Sequence, residues 1–229
     1  MSMNRVPGKI RFSPRIPVVD PVRGPRYVWA VDMLMMRFYR IDHEGGRRRR
    51  TDLHTVDLRA NPGVESSKGT IFILDTGANT SDFPDAAVTT IREEIFHAAE
   101  IKTNEGWNFA IPEHYRQQEI IIDFVFRGEH DTQVIVPGPA MPFLYQKSDP
   151  IARTLVCPAV GDYFLGVVSF NLFLNYVISP LLTLNAQNFF QTMFVAMYQP
   201  DHDDEKPYVR LAPQDQSESA LSVLPPRET

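Results

Sequence analysis

Apolar residues along the chain fall into short runs separated by turn residues, a pattern typical of a mostly β protein. The clearest run, Gly69–Leu74, is continuous and predicts a buried strand. Two β-branched runs, Glu119–Phe126 and Thr132–Val136, flank Arg127-Gly128-Glu129-His130 and predict a hairpin.

Further strands are predicted nearer the two ends of the chain. Phe189–Tyr198 and Tyr208–Leu211 flank the acidic turn Asp201–Glu205, which predicts another hairpin. Tyr27–Ile41 is rich in aromatic and aliphatic residues and predicts one or two strands. The Gly-Gly pair within Asp42–Asp52 makes that segment a hairpin loop.

One segment, Asp85–Glu100, has the period of a helix, and Asp82 or Asp85 is placed to cap its N-terminus. The apolar residues at helical spacing are Val88, Ile91, Ile95 and Phe96. The predicted fold is therefore mostly β with one main α-helix. Residues 1–26 are basic and rich in proline and predict an extended arm or an edge segment, while residues 214–229 predict a disordered tail.

The amino-acid composition indicates a globular protein without disulfide bonds. Of 229 residues, 43% are hydrophobic and 22% charged, ordinary values for a globular chain. Cys157 is the single cysteine, so no intramolecular disulfide can form. No apolar run follows Met1, so no signal peptide is expected, and an intracellular location follows if Met1 is the native start.

Other sequence features predict no further chemistry. Tyr163–Pro200 lacks charge, but frequent Asn, Ser and Pro favour buried strands over a membrane span. Arg47–Arg50 is predicted to be a solvated hairpin tip and not a nucleic-acid site, because the rest of the chain is acidic. The histidines show no ligand spacing, so neither a metal site nor a cofactor is predicted.

The sharpest signal is Asp75-Thr76-Gly77, which follows the Gly69–Leu74 run and precedes the predicted helix. A strand, then this triplet, then a helix would hold a carboxylate on a tight loop at the end of a buried strand. Glycine in such a loop lets main-chain amides approach the carboxylate, which orients it and keeps it ionised unless a like charge is near.

In this setting the chain resembles the C-terminal lobe of pepsin-like aspartic proteases (peptidase family A1), over roughly Ile10–Pro213. The segments that carry the resemblance are IRFSPRIPVVDPVRGPRYVWAVDM, IFILDTGANTSDFPDAAVTTI, IIIDFVFRGEHDTQVIVPGPAMPFLYQ, FLG at 164–166 and MFVAMYQPDHDDEKPYVRLAP. The resemblance implies a single lobe of the acid protease fold over residues 27–213. It also implies that 164–166 is the strand crossing beneath the catalytic loop.

The resemblance also implies roles for the loop residues. Asp75 would be the catalytic aspartate, Thr76 and Gly77 would complete its loop, and Ala78, Asn79 and Thr80 would contact substrate. In such enzymes two aspartates share one proton and activate a water that attacks the peptide carbonyl.

The sequence departs from the two-lobed pattern in three ways. Only one Asp-Thr/Ser-Gly triplet is present, so the second aspartate must come from elsewhere. Ala78 stands where those enzymes have Ser or Thr, and the resulting DTGA resembles the loop of retroviral proteases, which are dimers of single lobes. Residues 167–188 align as an insertion, predicted to cover the face that a second lobe would otherwise occupy.

Two hypotheses remain open. The first is an aspartic endopeptidase completed by a homodimer partner or by a separate N-terminal-lobe chain. The second is a repurposed or inactive lobe that acts on or binds a small molecule or a protein partner.

Overall fold

The computed structural model describes residues 10–19, 29–59, 69–74, 81–103, 106–112, 114–115, 118–146, 163–165, 167–169, 182–185, 187–201 and 205–214. The described residues are mostly β, as the sequence predicts. The helices are α1 (Asp85–Thr90), a π-helical turn that continues it (Ile91–Ile95) and α2 (Gln187–Phe190), and there are two short 3-10 helices, Glu129–Asp131 and Met141–Phe143. The strands are β1 (Ile16–Pro17), β2 (Ala30–Glu44), β3 (Arg47–Asp57), β4 (Thr70–Leu74), β5 (Ser81–Phe83), β6 (Ala99–Thr103), β7 (Gly106–Ile111), β8 (Glu119–Arg127), β9 (Gln133–Pro139), β10 (Leu144–Gln146), β11 (Tyr163–Leu165), β12 (Val167–Ser169), β13 (Leu182–Asn185), β14 (Met193–Tyr198) and β15 (Tyr208–Pro213).

The largest sheet has the order β12-β5-β13-β4-β2-β8-β9, with β3 also paired to β2. The long strand β2 organises it. Along one edge β2 pairs with β8; along the other it pairs first with β4 and then with β3. One strand therefore connects the region around the Asp75 loop to the arginine-rich hairpin.

The β2–β3 hairpin is tighter than the sequence predicts. Its turn is Gly45-Gly46, with φ of 57° and 77°, the left-handed conformations that a two-residue type I′ turn requires and that glycine adopts readily. Arg47–Arg50 therefore lie within β3 and not in a loop at the hairpin tip. Because side chains alternate along a strand, the arginines divide between two faces of the sheet.

The predicted main helix is present but shorter than expected. It starts after Pro84, which occupies the N-cap position without a side-chain cap hydrogen bond. The side chains of the predicted caps, Asp82 and Asp85, lie outside what the structure describes. The helix ends as a π-helical turn in which the Phe96 N–H donates to the Ile91 carbonyl at 3.1 Å. The chain then turns back, and Glu100, predicted to be helical, lies in β6.

A three-stranded sheet, β1-β15-β14, lies beside the main sheet, and a smaller one has the order β10-β11-β7-β6. The predicted hairpins β8–β9 and β14–β15 are both present. Ile16 and Pro17 pair with Val209 and Tyr208, so part of the proline-rich arm forms an edge strand, as expected. Gln214, predicted to belong to the tail, is tied to the sheet because its main-chain N–H donates to Thr192 O at 3.1 Å.

The core lies between the main sheet, the α1 segment and the three-stranded sheet, and it is rich in aromatic rings. Phe96 packs edge-on against Phe38 at 6.4 Å between ring centroids, and Phe189 packs edge-on against Phe124 at 5.3 Å. All the apolar positions of the helical pattern are buried in this core: Val88, Ile91, Ile95 and Phe96. Their burial fixes the α1 segment against the sheet next to β5.

Candidate active site

The strand that leads to Asp75 and the strand that follows Thr80 are not neighbours in the sheet. β13 lies between them, parallel to β4 and antiparallel to β5. Leu184 pairs with Ile73 and with Asp82, so a single residue of β13 is hydrogen-bonded into both flanking strands. Since neighbouring strands are about 4.8 Å apart, β4 and β5 are separated by about 10 Å here.

Both ends of the intervening segment are held in the core. Leu74, the last residue of β4, is buried, and its N–H donates to the Trp29 carbonyl at 2.8 Å. Ser81, the first residue of β5, is fully buried. Phe72 of β4 and Phe83 of β5 pack against each other at 5.1 Å between ring centroids, so the strands that carry Leu74 and Ser81 share one part of the core. The segment between Leu74 and Ser81 therefore begins and ends at fixed positions.

The predicted site residues Asp75, Thr76, Gly77, Ala78, Asn79 and Thr80 lie outside the described residues. Their roles therefore stay predictions. The structure describes the frame on either side of them: β4, β5, β13 and the α1 segment that begins after Pro84.

The strand that contains Phe164 and Leu165, predicted to cross beneath the catalytic loop, does not lie between β4 and β5. Tyr163–Leu165 pairs with β10 and β7 in the smaller sheet, and not with β4 or β5. The strand between β4 and β5 is Leu182–Asn185, about twenty residues further along the chain. Phe164–Gly166 matched the expected apolar pattern locally, but strand neighbours are chosen by long-range pairing, which that pattern does not encode.

Of the predicted insertion, residues 167–188, the structure describes two strands and the start of α2. Val167–Ser169 pairs in parallel with β5, and Leu182–Asn185 is the strand between β4 and β5. Both described strands of this stretch therefore belong to the main sheet. Whether the stretch covers the face that a second lobe would occupy stays a prediction.

A second polar cluster lies on the main sheet and was not anticipated from the sequence. Asp123 of β8 is 1% exposed, and its Oδ1 accepts from Arg50 of β3 at 3.0 Å. The Arg50 guanidinium also lies over the Tyr39 ring at 3.8 Å, a cation–π contact. Burial raises the pKa of the Asp123 carboxyl, and Arg50 and the Tyr39 hydroxyl only partly offset that effect. Burial and the nearby Asp123 charge raise the pKa of Tyr39.

Further ion pairs, with more exposed carboxylates, continue across the sheet. Arg48 contacts Glu119, whose other oxygen is 3.1 Å from His43 Nε2. Farther along β2, the buried Asp32 accepts from Arg127 Nε at 2.7 Å. The prediction of a solvated arginine tip is thus wrong for Arg48 and for Arg50 of the cluster above, both of which face acids of β8.

One signal in the sequence could have revealed these pairs. Asp123 interrupts the apolar strand IIIDFVF, and Asp32 interrupts WAVDMLMM. An acid within a buried strand needs a partner, since an unpaired buried charge is costly. Arg50 is the partner of Asp123, and Arg127 is the partner of Asp32.

The described residues hold no group of three or more His, Cys, Asp or Glu side chains that could bind a metal ion. Within the same ranges, no helix has both the length and the apolar character needed to cross a membrane. No protein-family model matches the chain, and no curated protein matches it.

Proposed function

We propose that the chain is one half of an aspartic endopeptidase, with Asp75 as the catalytic carboxylate of each half. The observation that supports this most directly is the frame around the loop. In the family that the sequence resembles, a strand crosses beneath the catalytic loop, and here β13 runs between the two strands that Asp75-Thr76-Gly77 connects.

The frame suits the chemistry because catalysis needs a carboxylate held in position. Two carboxylates about 3 Å apart cannot both ionise, so one holds a proton while the other accepts one. The charged aspartate takes a proton from water as the water oxygen attacks the peptide carbonyl carbon. The protonated aspartate gives its proton to the carbonyl oxygen, and collapse of the intermediate with proton transfer to nitrogen breaks the C–N bond.

The second aspartate is supplied in this proposal by another copy of the chain. A single chain carries one Asp-Thr-Gly triplet, so symmetry is the simplest way to bring two together. The fold class proposed with it is a single acid-protease lobe, and the substrate is a peptide with apolar residues near the cleaved bond. A separate N-terminal-lobe chain is the alternative source of the second carboxylate.

The second candidate function is a repurposed or inactive lobe that binds a small molecule or protein partner. The same single triplet favours it, because a lone carboxylate cannot form the shared-proton pair. The two candidates differ in whether Asp75 is needed for peptide cleavage.

The test is cleavage of an apolar peptide library between pH 3 and pH 7, with wild-type protein, Asp75→Asn and the control Asp201→Asn. Asp201 lies on the exposed acidic turn, so Asp201→Asn removes the same charge as Asp75→Asn but at a residue outside the Asp75–Thr80 segment. We expect activity with an acidic optimum, inhibition by a statine-type transition-state mimic, and loss only in Asp75→Asn. Equal cleavage by both variants would refute the catalytic role of Asp75.

A further inference from the structure

The four arginines of β3 fall into two pairs with different surroundings. Arg48 and Arg50 contact acids of β8 and are partly buried. Arg47 and Arg49 point to the opposite face of the sheet and are exposed. Within the part of the chain that the structure describes, neither of these two forms an ion pair. Two guanidinium groups near the tip of the β2–β3 hairpin are therefore accessible to carboxylates of another molecule.

The nearest acids on that face belong to β2, one strand farther from the open edge. Glu44 and Asp42 of β2 lie opposite the two exposed arginines. Both oxygens of Asp42 are already bonded, because Oδ1 accepts from Arg40 Nε at 2.7 Å and Oδ2 accepts from Thr51 Oγ1 at 2.6 Å. A strand added beyond β3 would lie about 4.8 Å from β3 and about 10 Å from β2. Such a strand would meet the arginines before the acids.

The edge of β3 also offers main-chain hydrogen bonds. Among the described strands, β3 pairs only with β2. In a two-residue hairpin the pair that flanks the turn, here Glu44 and Arg47, is hydrogen-bonded. Since hydrogen-bonded pairs alternate along an antiparallel ladder, Arg50 and Asp52 direct their N–H and C=O groups away from β2. An extended segment lying along this edge could bond to both residues.

The same alternation sets where the side chains of an added strand would lie. Arg47 and Arg49 belong to hydrogen-bonded pairs with β2, so they would form non-hydrogen-bonded pairs with an antiparallel strand on the other side. In such pairs the Cα atoms are about 4.5 Å apart and the side chains are closest. Opposite charges directly across two strands are stabilising, and arginine can bind a carboxylate through two parallel hydrogen bonds. Acids two residues apart on the added strand therefore match Arg47 and Arg49.

We propose that β3 binds an acidic peptide segment of another protein, which adds as an antiparallel strand with acids at alternate positions opposite Arg47 and Arg49. The partner is a peptide and not a nucleic acid, because the edge offers N–H and C=O groups and because the net charge of the chain is -5, which repels phosphates at longer range. A second copy of β3 would bring its own four arginines to the edge. The inference goes beyond the proposed function and does not depend on Asp75.

The test uses an acetylated, fluorescein-labelled peptide, Val-Thr-Val-Glu-Val-Glu-Thr, whose glutamates would face Arg49 and Arg47 and whose first two valines would face Asp52 and Arg50. We expect fluorescence anisotropy at about pH 7.5 to give a dissociation constant below about 100 μM. The same peptide with glutamine for both glutamates should bind about fivefold more weakly or worse. N-methylation of the first two valines should abolish binding, because it removes two N–H donors directed at β3. N-methylation of both glutamates, whose N–H groups face away, should leave binding intact.

Variants of the protein locate the charged contact. Arg47→Gln combined with Arg49→Gln is expected to raise the dissociation constant by about fivefold or more, because both carboxylate partners are lost. Lys206→Gln combined with Arg210→Gln is the matched control, since both residues are exposed, lie outside the hairpin and remove the same total charge. This control is expected to bind the peptide as the wild-type chain does.

The outcomes separate this surface from the proposed peptidase activity. Asp75→Asn should bind the peptide as the wild-type chain does, so a loss of cleavage with intact binding concerns the active site alone. Absence of binding, equal binding of the glutamine peptide, or equal effects of the two double variants would overturn the proposal, as would any other pattern among the N-methylated peptides. Tighter binding of a short single-stranded DNA, or self-association that is lost with Arg47→Gln and Arg49→Gln, would overturn it in favour of a nucleic acid or a second copy.

Discussion

Removing Arg50 should destabilise the fold by leaving Asp123 buried without its ion-pair partner. The Asp123 side chain is 1% exposed and the Arg50 side chain 23%, so the pair is shielded from water on the carboxylate side. Breaking a buried pair by deleting one partner costs about 3–5 kcal/mol. Because Arg50 is partly exposed, we expect Arg50→Ala to fall near the lower end, about 3 kcal/mol at pH 7.5. For a chain of this length that corresponds to a decrease in Tm of roughly 6–12 °C.

The penalty should depend on pH in a defined direction. Burial already raises the pKa of Asp123 in the folded protein, and loss of Arg50 would raise it further. Between the unfolded pKa, about 3.9, and the raised folded pKa, the folded state binds more protons than the unfolded state. Stability of the variant should therefore fall as pH rises through that window. The cost of Arg50→Ala should be smaller at pH 4.5 than at pH 7.5.

The assay is urea unfolding followed by circular dichroism at both pH values. Arg49→Ala is the control, since Arg49 is the exposed neighbour on the same strand and should change the unfolding free energy by less than about 0.5 kcal/mol. Adding Asp123→Asn to Arg50→Ala should recover part of the loss, because the buried charge is gone. Equal costs for Arg50→Ala and Arg49→Ala, or a cost that does not change with pH, would refute the reasoning.

Two backbone predictions follow from glycine geometry. Gly69→Ala should lower the unfolding free energy by about 2 kcal/mol or more in urea titration, because its Cβ would lie closer than 3.0 Å to the Met33 carbonyl and to the Asp32 carboxylate. His97→Gly should raise the unfolding free energy by about 0.5–1 kcal/mol, and with it Tm, because His97 holds φ of 46° at the end of the α1 segment. The bond from His97 Nδ1 to Glu93 O limits that gain, and a decrease in Tm would contradict it.

Several local features could be determined from the sequence alone. The strand Thr70–Leu74, the hairpins β8–β9 and β14–β15, and the buried stripe of the α1 segment all follow from apolar periods and turn residues. These features depend on neighbours in sequence, and a period of two or of about 3.6 residues decides which face is buried. The Asp-Thr-Gly triplet also belongs to this class, because its setting after a strand is local.

Tertiary structure decided which strands meet. Leu182–Asn185, and not Tyr163–Leu165, lies between β4 and β5, because an apolar run fits several places in a sheet and long-range pairing selects one. Contacts between distant strands likewise set Arg50 against Asp123, 73 residues apart. The sequence shows that Arg50 and Asp123 are charged. Only the folded sheet brings β3 and β8 together on one face, where these two side chains pair.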